Sequence, residues 1–363
     1  MKLAGLDISV LRIPTDRPES DGTFEWNSTT VVLAQIRADD GNRGMGWSYA
    51  SAAAGVVIDD TLRPAIADLP LEDIGRAWST MVASVRNVGR GGVAAMAISA
   101  VDIALWDLKG RAEGRPVYRL LGPHRDSVPI YGSGGFTSYT MEELVDQLSG
   151  WVASGFPRVK MKIGTGWGTR LDVDRSRIVA VRQAIGPDAE LFIDANGAYT
   201  PKQAMRLAHD VDGIATYFEE PVSSDHLEDL AMIRREISQD VAAGEYGWDP
   251  WYFRKMLNAG AVDVMQADAT RCLGITGFLI AADLAYSAGV AFSAHCSPTI
   301  HAHAACAAPQ ISHVEYFHDH ARIEQLLFDG APKPEAGTLR PAPDRAGLGL
   351  ELKHADLDAY RAA

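Results

Sequence analysis

The sequence predicts an α/β protein with a (β/α)8-type barrel and an α+β capping domain built from the N-terminal region plus the C-terminal tail. Three observations predict this fold. The chain has 363 residues, about a hundred more than the ~250 of a barrel. Eight short apolar runs alternate with helix-length stretches, as in a parallel barrel. Six of these runs end at an acidic residue or a histidine, at intervals of 20 to 27 residues, which is the length of one strand-plus-helix unit.

The N-terminal region, residues 1–124, has the pattern of a small α+β domain that would cap the barrel. A polar segment, TDRPESDGTFEWN at 15–27, separates two strand patterns, and three helical patterns follow. The predicted strands span 2–12 and 30–38, and the predicted helices span 56–68, 73–86 and 91–113.

From Val128 the pattern becomes a repeat of strand, loop and helix, which predicts a barrel domain over residues 125–330. The predicted strands carry the runs VPIYG, RVKMKIG, ELFIDAN, IATYFEEP, DVAAGEY, VDVMQADA, VAFSAH and HVEYFH. The helices predicted between them span 140–154, 174–185, 201–211, 225–236, 249–259, 276–288 and 299–308. The tail at 331–363 is rich in proline and glycine, so we expect an extended strap that packs back on the capping domain.

Charge and composition exclude several classes of partner. A formal charge of −13 argues against nucleic acid and anionic membranes. No run approaches the ~20 apolar residues of a membrane span, and residues 1–13 alternate like a strand, unlike a signal peptide. The three cysteines form no metal or redox motif, and an odd number suits reduced thiols. We therefore expect a cytoplasmic protein.

The residues that end the predicted strands should share one pocket, because the carboxyl ends of barrel strands converge. Solvent-exposed acids without a function often end strands, but this would explain only one or two of these residues and not the whole set. The sequence therefore predicts an active site at this face of the barrel. Its six strand-end residues are Asp194, Glu219, Glu245, Asp268, His295 and Glu315.

A metal site is predicted where the third, fourth and fifth strands end, at Asp194, Glu219 and Glu245. Three neighbouring carboxylates with no thiol or imidazole among them suit a hard cation with oxygen ligands, above all Mg²⁺. A helix cap would explain a lone strand-end aspartate, but three acids in consecutive units favour a metal. Asn196, two residues after Asp194, should face the same way and orient the metal or a substrate carboxylate.

Candidate acids and bases stand on the second, sixth and seventh strands. Lys160 and Lys162 are two residues apart between apolar flanks, so both should face inward, although a KxK pair alone is typical of an exposed strand. Two adjacent ammonium groups near a metal lower each other's pKa, so we expect Lys162 to be neutral near pH 7 and able to abstract a proton. His295 is the second candidate, and Asp268 is placed to hold one ring nitrogen and raise its basicity.

Four short runs resemble the barrel of the enolase superfamily: VKMKIG (159–164), DAN (194–196), FEEP (218–221) and GEY (244–246). The later Asp268, His295 and Glu315 narrow the resemblance to the mandelate racemase subgroup, and it spans the whole chain. Sibling groups carry a lysine where this chain has Asp268, before a loop that contains Gly-Gly. Here Leu273 replaces the first of those glycines.

The resemblance implies a role for each residue of the site. Glu219, the first acid of the EEP run, would be the metal ligand, and Glu220 would stand beside the ligand set. Lys162 would be the base, and Lys160 would neutralise the substrate carboxylate. Glu315 would donate a hydrogen bond to that carboxylate, which requires a raised pKa, and we expect neighbouring anionic groups to supply it.

Two His-x-His pairs have another possible meaning, since such pairs also occur in binuclear hydrolases. Those proteins place the pair on the first strand, which here carries YGSGG (131–135). We therefore interpret His301 and His303 as helix-start or pocket-wall residues, and His318 and His320 as loop residues.

The predicted reaction is Mg²⁺-dependent abstraction of the α-proton of a carboxylate substrate through an enediolate, with Lys162 and His295 on opposite faces of the carbon. Loss of a β-hydroxyl would then dehydrate an acid sugar to a 2-keto-3-deoxy acid, which the polar segment at 15–27 favours as a lid. Racemisation or epimerisation of a mandelate-like 2-hydroxy acid is the alternative, and a catalytically silent binding protein is a remote one. We expect one Mg²⁺ per subunit, a small-molecule carboxylate partner and a homo-oligomer. The lid residues singled out are Arg17, Glu19, Asp21, Glu25 and Trp26.

Overall fold

The computed structural model describes residues 1–353 and 357–362 and confirms the predicted fold class. Eight parallel strands close into a barrel, and an N-terminal α+β domain covers the mouth of the barrel. Residues 354–356 and 363 of the predicted strap lie outside the described part of the chain. Among the described residues, no helix has both the length and the apolar character that crossing a membrane requires.

The capping domain begins with an antiparallel sheet of β1 (Leu3–Ser20), β2 (Glu25–Ala38) and β3 (Arg43–Tyr49). The predicted ends of the first two strands are wrong, because β1 and β2 continue as a hairpin that pairs Glu19 with Trp26 and Ser20 with Glu25. We call residues 15–27 the capping hairpin. A register shift between Pro14 and Glu19 breaks its alternation, which is why the sequence resembled a loop.

Strand β3 was not predicted, because six of its seven residues are buried and no polar face alternates with an apolar one. It lies directly on helix α4 (Val93–Ala112). A Cβ added at Gly44 or Gly46 would lie 2.3 Å from a carbonyl oxygen of that helix, so both positions need glycine for space. The helices of this domain are α1 (Ala53–Val57), a π-helical turn (Ile58–Leu62), α2 (Arg63–Ile66), α3 (Ile74–Ser84), α4 (Val93–Ala112) and α5 (Val117–Leu120).

The barrel strands follow one another in chain order, and the last pairs with the first. They are β4 (Val128–Gly134), β5 (Arg158–Lys162), β6 (Glu190–Asp194), β7 (Tyr217–Glu219), β8 (Asp240–Ala243), β9 (Val264–Ala267), β10 (Ala291–Ala294) and β11 (His313–Phe317). Aromatic side chains fill the interior below the mouth, where the Phe192 ring lies 5.3 Å from Tyr131 and 4.4 Å from Tyr217 between centroids. This packing closes the barrel from below.

The helices around the barrel include two that the sequence did not predict, a short one at Thr165–Gly168 and the last one at His318–Leu327. They are α6 (Met141–Ala153), α7 (Thr165–Gly168), α8 (Leu171–Ile185), α9 (Pro201–Asp210), α10 (Leu227–Glu236), α11 (Pro250–Asn258), α12 (Gly274–Ala288), α13 (Pro298–Ala307) and α14 (His318–Leu327). Helix α14 begins at His318 and contains His320, so placing these two histidines in a loop was wrong. The helix starts directly after β11, without the loop residues that mark the other units.

The tail contacts both parts of the molecule. After β12 (Phe328–Asp329), strand β13 (Thr338–Leu339) pairs with the start of β4 at the bottom of the barrel, and β14 (Glu351–Leu352) pairs back with β12. The Leu348 N–H donates to Asp107 of α4 at 2.7 Å, and a 3-10 turn covers Asp358–Tyr360. The strap therefore binds the capping domain and the barrel together, while the domain boundaries at residues 124 and 330 stay a prediction.

Candidate active site

A cavity of about 540 Å³ opens between the carboxyl ends of the barrel strands and the capping hairpin. This volume is in the range of small-molecule sites. Barrel residues such as Lys162, Glu245 and His295 line one side, and hairpin residues Asp21 and Trp26 line the other. The predicted convergence of strand ends is therefore present in the structure.

The carboxylate cluster consists of Asp194, Glu219 and Glu245, which are buried and whose oxygens lie within 4.8 Å of one another. Asp194 and Glu219 end β6 and β7, and Glu245 follows β8 by two residues. One oxygen of Glu219 and one of Glu245 have no hydrogen-bond partner among the described residues. Burial raises the pKa of Glu219, and repulsion from Asp194 raises it further. Crowded carboxylates with unpartnered oxygens fit a hard divalent cation.

Two predicted neighbours of the cluster are placed differently from each other. Glu220 is buried beside Glu245. Burial raises the pKa of Glu220, and the negative charge of Glu245 raises it further. The carboxylate of Glu220 is not part of the group formed by the three cluster residues. Asn196 lines the cavity, and its backbone N–H donates to Asp194 at 2.9 Å. Both residues have positive φ values, 38° for Glu220 and 46° for Asn196. Positive φ values are uncommon outside glycine, and here they accompany a sharp turn of the chain just after the strand ends.

Lysines 160 and 162 both face inward, as predicted. The Lys160 ammonium lies 2.7 Å from Glu219 Oε2, 2.8 Å from Glu315 Oε1 and 3.2 Å from Asp194 Oδ2. The Lys162 ammonium lies 2.5 Å from Asp194 Oδ2. Burial and Lys160 lower the pKa of Lys162, but the carboxylates of Asp194, Glu245 and Glu219 together outweigh them and the pKa is raised. The protein groups alone therefore favour a charged Lys162, and the expectation of a neutral one is wrong for them, because the nearest neighbour of Lys162 is the Asp194 carboxylate.

Glu315 also differs from the expectation. It stands in the middle of β11 rather than at its end. Burial favours its neutral form, but the Lys160 ammonium at 2.8 Å and His295 hold the pKa of Glu315 well below its usual range. The predicted raised pKa is wrong, because the sequence did not reveal that Lys160 lies between Glu219 and Glu315.

His295 and Asp268 form the predicted pair. His295 Nδ1 lies 2.9 Å from Asp268 Oδ2, and Thr270 donates its backbone N–H and its hydroxyl to Asp268 Oδ1 at 2.7 and 2.8 Å. Burial opposes ionisation of Asp268, but the hydrogen bond and charge of His295, together with His301 and Arg271, outweigh burial and lower the pKa of Asp268. An ionised carboxylate only accepts, so Nδ1 carries the proton and Nε2 faces Glu245 at 3.3 Å.

The first His-x-His pair, His301 and His303, is held by structural hydrogen bonds. Both nitrogens of His301 are used, since Nε2 accepts from the Ala269 N–H at 2.9 Å and Nδ1 contacts the Cys296 carbonyl at 2.7 Å. His303 similarly bridges Tyr118 and Leu348. These two residues tie loops together from α13 and do not line the cavity.

The capping hairpin turns only some of its predicted lid residues toward the cavity. Asp21 and Trp26 line it. Glu19 is fully buried beside Trp26, accepts from Trp26 Nε1 at 2.8 Å and does not line the cavity. Arg17 pairs with Glu143 on the outside at 2.9 Å, and Glu25 is exposed. Glu19, Arg17 and Glu25 are therefore not positioned to contact a ligand in the cavity.

Sequence reasoning missed several residues that line the cavity. Arg271 lies 3.4 Å from Glu245 Oε1 and 3.8 Å from Asp268 Oδ2, so it joins the metal side to the histidine side. Its position three residues after Asp268 was the signal available. His320 stacks on Tyr49 with 3.4 Å between ring centroids. No sequence signal joins these two, because one belongs to the capping sheet and the other to an unpredicted helix.

Comparison with known proteins agrees with this geometry. A family model described as enolase C-terminal domain-like matches residues 143–356, and one described as the mandelate racemase/muconate lactonizing enzyme N-terminal domain matches residues 10–122. The crystal structure of a mandelate racemase/muconate lactonizing enzyme-like protein from Rubrobacter xylanophilus is 46% identical, with a TM-score of 0.96 and full coverage of both chains.

Two named enzymes are similar over nearly their whole length. The arabinonate dehydratase of Saccharolobus solfataricus is 30% identical, over 91% of this chain and 90% of that protein. The L-talarate/galactarate dehydratase of Salmonella typhimurium, solved with Mg and L-lyxarohydroxamate, is 28% identical, with a TM-score of 0.89 over 99% of this chain and 92% of that one. The chain therefore belongs to the mandelate racemase/muconate lactonizing enzyme family, within the mandelate racemase subgroup of the enolase superfamily.

Proposed function

We propose that this protein is a Mg²⁺-dependent dehydratase that converts an acid sugar to a 2-keto-3-deoxy acid. The observation that carries the proposal is the placement of two proton-transfer groups in one cavity. Lys162 contacts Asp194 and His295 contacts Glu245, so they approach the carboxylate cluster from different sides. Their strands, β5 and β10, are not neighbours in the barrel. A substrate carbon between them would have one group on each face.

Asp194, Glu219 and Glu245 would hold the Mg²⁺. When bound, Mg²⁺ would neutralise the negative charge that develops on the substrate carboxylate as the α-proton leaves. The similarity to the talarate/galactarate dehydratase solved with Mg supports this assignment. Asn196 would orient the same end of the substrate from its strained position after β6.

The protein residues would divide the proton transfers. Lys162 Nζ in its neutral form would remove the α-proton from one face, and Mg²⁺ on Asp194 would favour that form by neutralising the carboxylate that raises the pKa of Lys162. His295, held by Asp268 through Nδ1 and protonated also at Nε2, would give the Nε2 proton to the departing β-hydroxyl so that it leaves as water. Lys160 is fully buried and would pair with the substrate carboxylate. Glu315 would position Lys160, with which it forms an ion pair at 2.8 Å. The reaction needs no oxidant, because water is the only group lost.

The lining of the cavity favours a polyol over an aromatic acid. The hydroxyls among the lining residues supply hydrogen-bond partners beside an apolar surface. That surface comes from Phe24, Trp26, Tyr49, Met96 and Phe317. The polar lining residues on the capping side are Asp21, Ser28, Thr29, Thr30 and Ser51. Two similar enzymes named as sugar-acid dehydratases, for arabinonate and for talarate/galactarate, agree with this preference.

Incubation of the purified protein and Mg²⁺ with a library of hexonates, pentonates and hexarates tests the proposal. Semicarbazide detects the 2-keto-3-deoxy acid product, and we expect at least one acid to react. NMR in D₂O detects α-proton exchange in recovered substrate. Efficient racemisation of mandelate without dehydration of any sugar acid would overturn the lyase assignment and favour the alternative. That alternative uses the same two groups, and a Mg-bound racemase from Streptomyces coelicolor is 29% identical.

We also propose that the protein acts in the cytoplasm as a homo-oligomer. The three cysteines are all buried and unpaired, which fits a reducing compartment. Size-exclusion chromatography with light scattering measures the oligomeric state, and a purely monomeric mass would reject the second part of this proposal.

A further inference from the structure

Cys296 is a cavity-lining thiol that the proposed reaction does not use. It follows His295 directly at the end of β10, and it is buried with only 3% of its surface exposed. The backbone is strained here, with φ of 53° at Cys296 and 42° at Ser297. Two successive residues in the left-handed region are rare without glycine. This sharp turn brings the thiol back over the imidazole of the preceding residue.

Several contacts hold Cys296 in this position. Its backbone N–H donates to Glu315 Oε2 at 2.9 Å, and its carbonyl oxygen lies 2.7 Å from His301 Nδ1. The backbone on both sides of the thiol is therefore fixed. The site does not depend on a mobile loop.

Three donor atoms converge at this point, and we call His295, Cys296 and Glu315 the thiol site. Cys296 Sγ lies 3.2 Å from His295 Nε2 and 3.4 Å from Glu315 Oε2, and the last two atoms are 3.7 Å apart. Metal–ligand bonds of ~2.0–2.3 Å at tetrahedral angles place sulfur, nitrogen and oxygen ligands ~3.3–3.6 Å apart. The donor triangle therefore has almost the size that a tetrahedral Zn²⁺ ion requires, without movement of the backbone.

The surroundings of the thiol site also suit such a cation. Asp268 accepts from His295 Nδ1, so the ring directs the lone pair of Nε2 into the site, as carboxylate–histidine pairs do behind zinc ions. The fourth position of a tetrahedron is left to water, because Glu245, whose Oε2 lies 3.3 Å from His295 Nε2, belongs to the carboxylate cluster. Glu315 divides its oxygens, with Oε1 toward Lys160 and Oε2 toward the thiol.

We propose that the thiol site binds Zn²⁺, or a similarly thiophilic divalent cation, as a second metal site distinct from the carboxylate cluster. The two sites differ in the cation they select. Three carboxylates select a hard ion such as Mg²⁺, whereas a thiolate with an imidazole selects a softer one. On binding, the S–H bond of Cys296 breaks, its proton passes to water and an S–Zn bond forms.

Occupation of the thiol site would inhibit the enzyme. The cation would take the lone pair of His295 Nε2, the atom that exchanges protons with substrate in the proposed function, and this consequence rests on that function. Zn²⁺ would therefore inhibit even when Mg²⁺ is in excess. Removal of Zn²⁺ by a chelator, followed by addition of Mg²⁺, would restore the rate.

Binding is measured first, without any use of activity. Co²⁺ added to the Mg²⁺-loaded protein serves as a spectroscopic probe, because a thiolate ligand gives Co²⁺ an intense near-ultraviolet charge-transfer band. We expect this band in the wild type and in Cys306→Ala, whose thiol is buried outside the cavity. We expect it to be absent from Cys296→Ala and Cys296→Ser. Bound Co²⁺ without the band in the wild type would overturn the proposal, whatever the substrate of the enzyme is.

Inhibition is measured second, on any substrate that the library identifies. Each rate is normalised to the zinc-free rate of the same variant, since Cys296 lies beside His295. We expect Cys296→Ala and Cys296→Ser to raise the half-inhibitory Zn²⁺ concentration at least about tenfold, since losing even a residue that only supports a metal ligand costs that much. Cys306→Ala should leave it unchanged. Equal inhibition of all variants would show that Zn²⁺ acts at the carboxylate cluster, and would overturn the proposal. If no acid reacts, the proposed function fails while the Co²⁺ band still decides this inference.

Discussion

The barrel mouth and the capping hairpin form opposite sides of one cavity but are organised in different ways. At the barrel mouth, buried charges lie within ion-pair distance of opposite charges, and each of these pairs joins residues from two different strands or the turns that follow them. In the capping hairpin, two strands pair with each other, and neighbouring residues face opposite ways, so Trp26 lines the cavity while exposed Glu25 does not. The comparison teaches that chemistry and selectivity are separable here. Changes at the mouth should abolish reaction, whereas changes in the hairpin should redirect it.

The largest effect is expected from the carboxylate cluster. Asp194→Asn and Glu245→Gln each remove an anionic oxygen that the metal needs, so we expect turnover to fall at least ~100-fold and Mg²⁺ affinity to fall with it. The fold should persist, since these residues lie above the aromatic interior. Calorimetric titration with Mg²⁺ and circular dichroism measure both. Glu220→Gln is the matched control, because Glu220 is also a buried glutamate beside the cluster but is not one of its members. Full activity in either cluster variant would reject the metal assignment.

The next effect concerns the two proton-transfer groups. Lys162→Ala and His295→Asn should each lower net turnover ~10²-fold or more. Each variant keeps one base, so it can still exchange the α-proton of the stereoisomer presented to that base. Mass spectrometry of substrate recovered from D₂O measures the exchange. His318→Asn, on the outer part of α14, is the control and should keep the wild-type rate, while full activity without His295 would contradict its role.

A smaller effect should come from the capping hairpin and should appear as altered preference. Asp21→Asn and Trp26→Phe change groups that line the cavity on the capping side. We expect kcat/KM to change about tenfold or more for some sugar acids relative to others, since a mismatched buried polar group costs ~1–3 kcal/mol. Arg17→Gln removes an exposed ion pair with Glu143 and a cation–π contact with Tyr139, both outside the cavity, and should leave the preference unchanged. An equal loss of kcat/KM for all substrates in Asp21→Asn and Trp26→Phe would contradict the separation of chemistry from substrate selectivity.

The smallest effect is on stability and distinguishes the two faces of the hairpin. Burial, and then Asp319, raise the pKa of Glu19 from 4.5 to about 8. Between pH 4.5 and about 8 the folded state therefore keeps a proton on Glu19 that the unfolded state has lost. The contribution of Glu19 to the free energy of unfolding is complete below pH 4.5 and is lost as the pH rises toward 8. We expect Glu19→Gln to reduce the fall in stability between about pH 5 and 9 by roughly 1 kcal/mol or more. Urea unfolding across this range measures it, and Glu25→Gln is the exposed control.

The sequence predicted the barrel mouth better than the hairpin, for physical reasons. A strand-end position is set by spacing alone, so the intervals between Asp194, Glu219 and Glu245 were enough to place these residues together. Their charge states could not be predicted in this way, since those depend on distances between strands, as the Lys160–Glu315 pair shows. Facing in the hairpin depends on a register shift after Pro14 that composition does not reveal. Polar character therefore suggested ligand contacts for Glu19, which instead lies outside the cavity lining and is hydrogen-bonded to Trp26.

The tip of the hairpin fits the barrel so closely that the two have to change together in evolution. A Cβ at Gly22 would lie 2.5 Å from the Ala195 carbonyl oxygen, and one at Gly164 would lie 2.6 Å from the Gly22 Cα. A hairpin transplanted from a relative would clash unless it brought a glycine to the same place. Chimaeras that recombine capping segments should therefore exchange the loops after β5 and β6 with the hairpin, as one heritable unit.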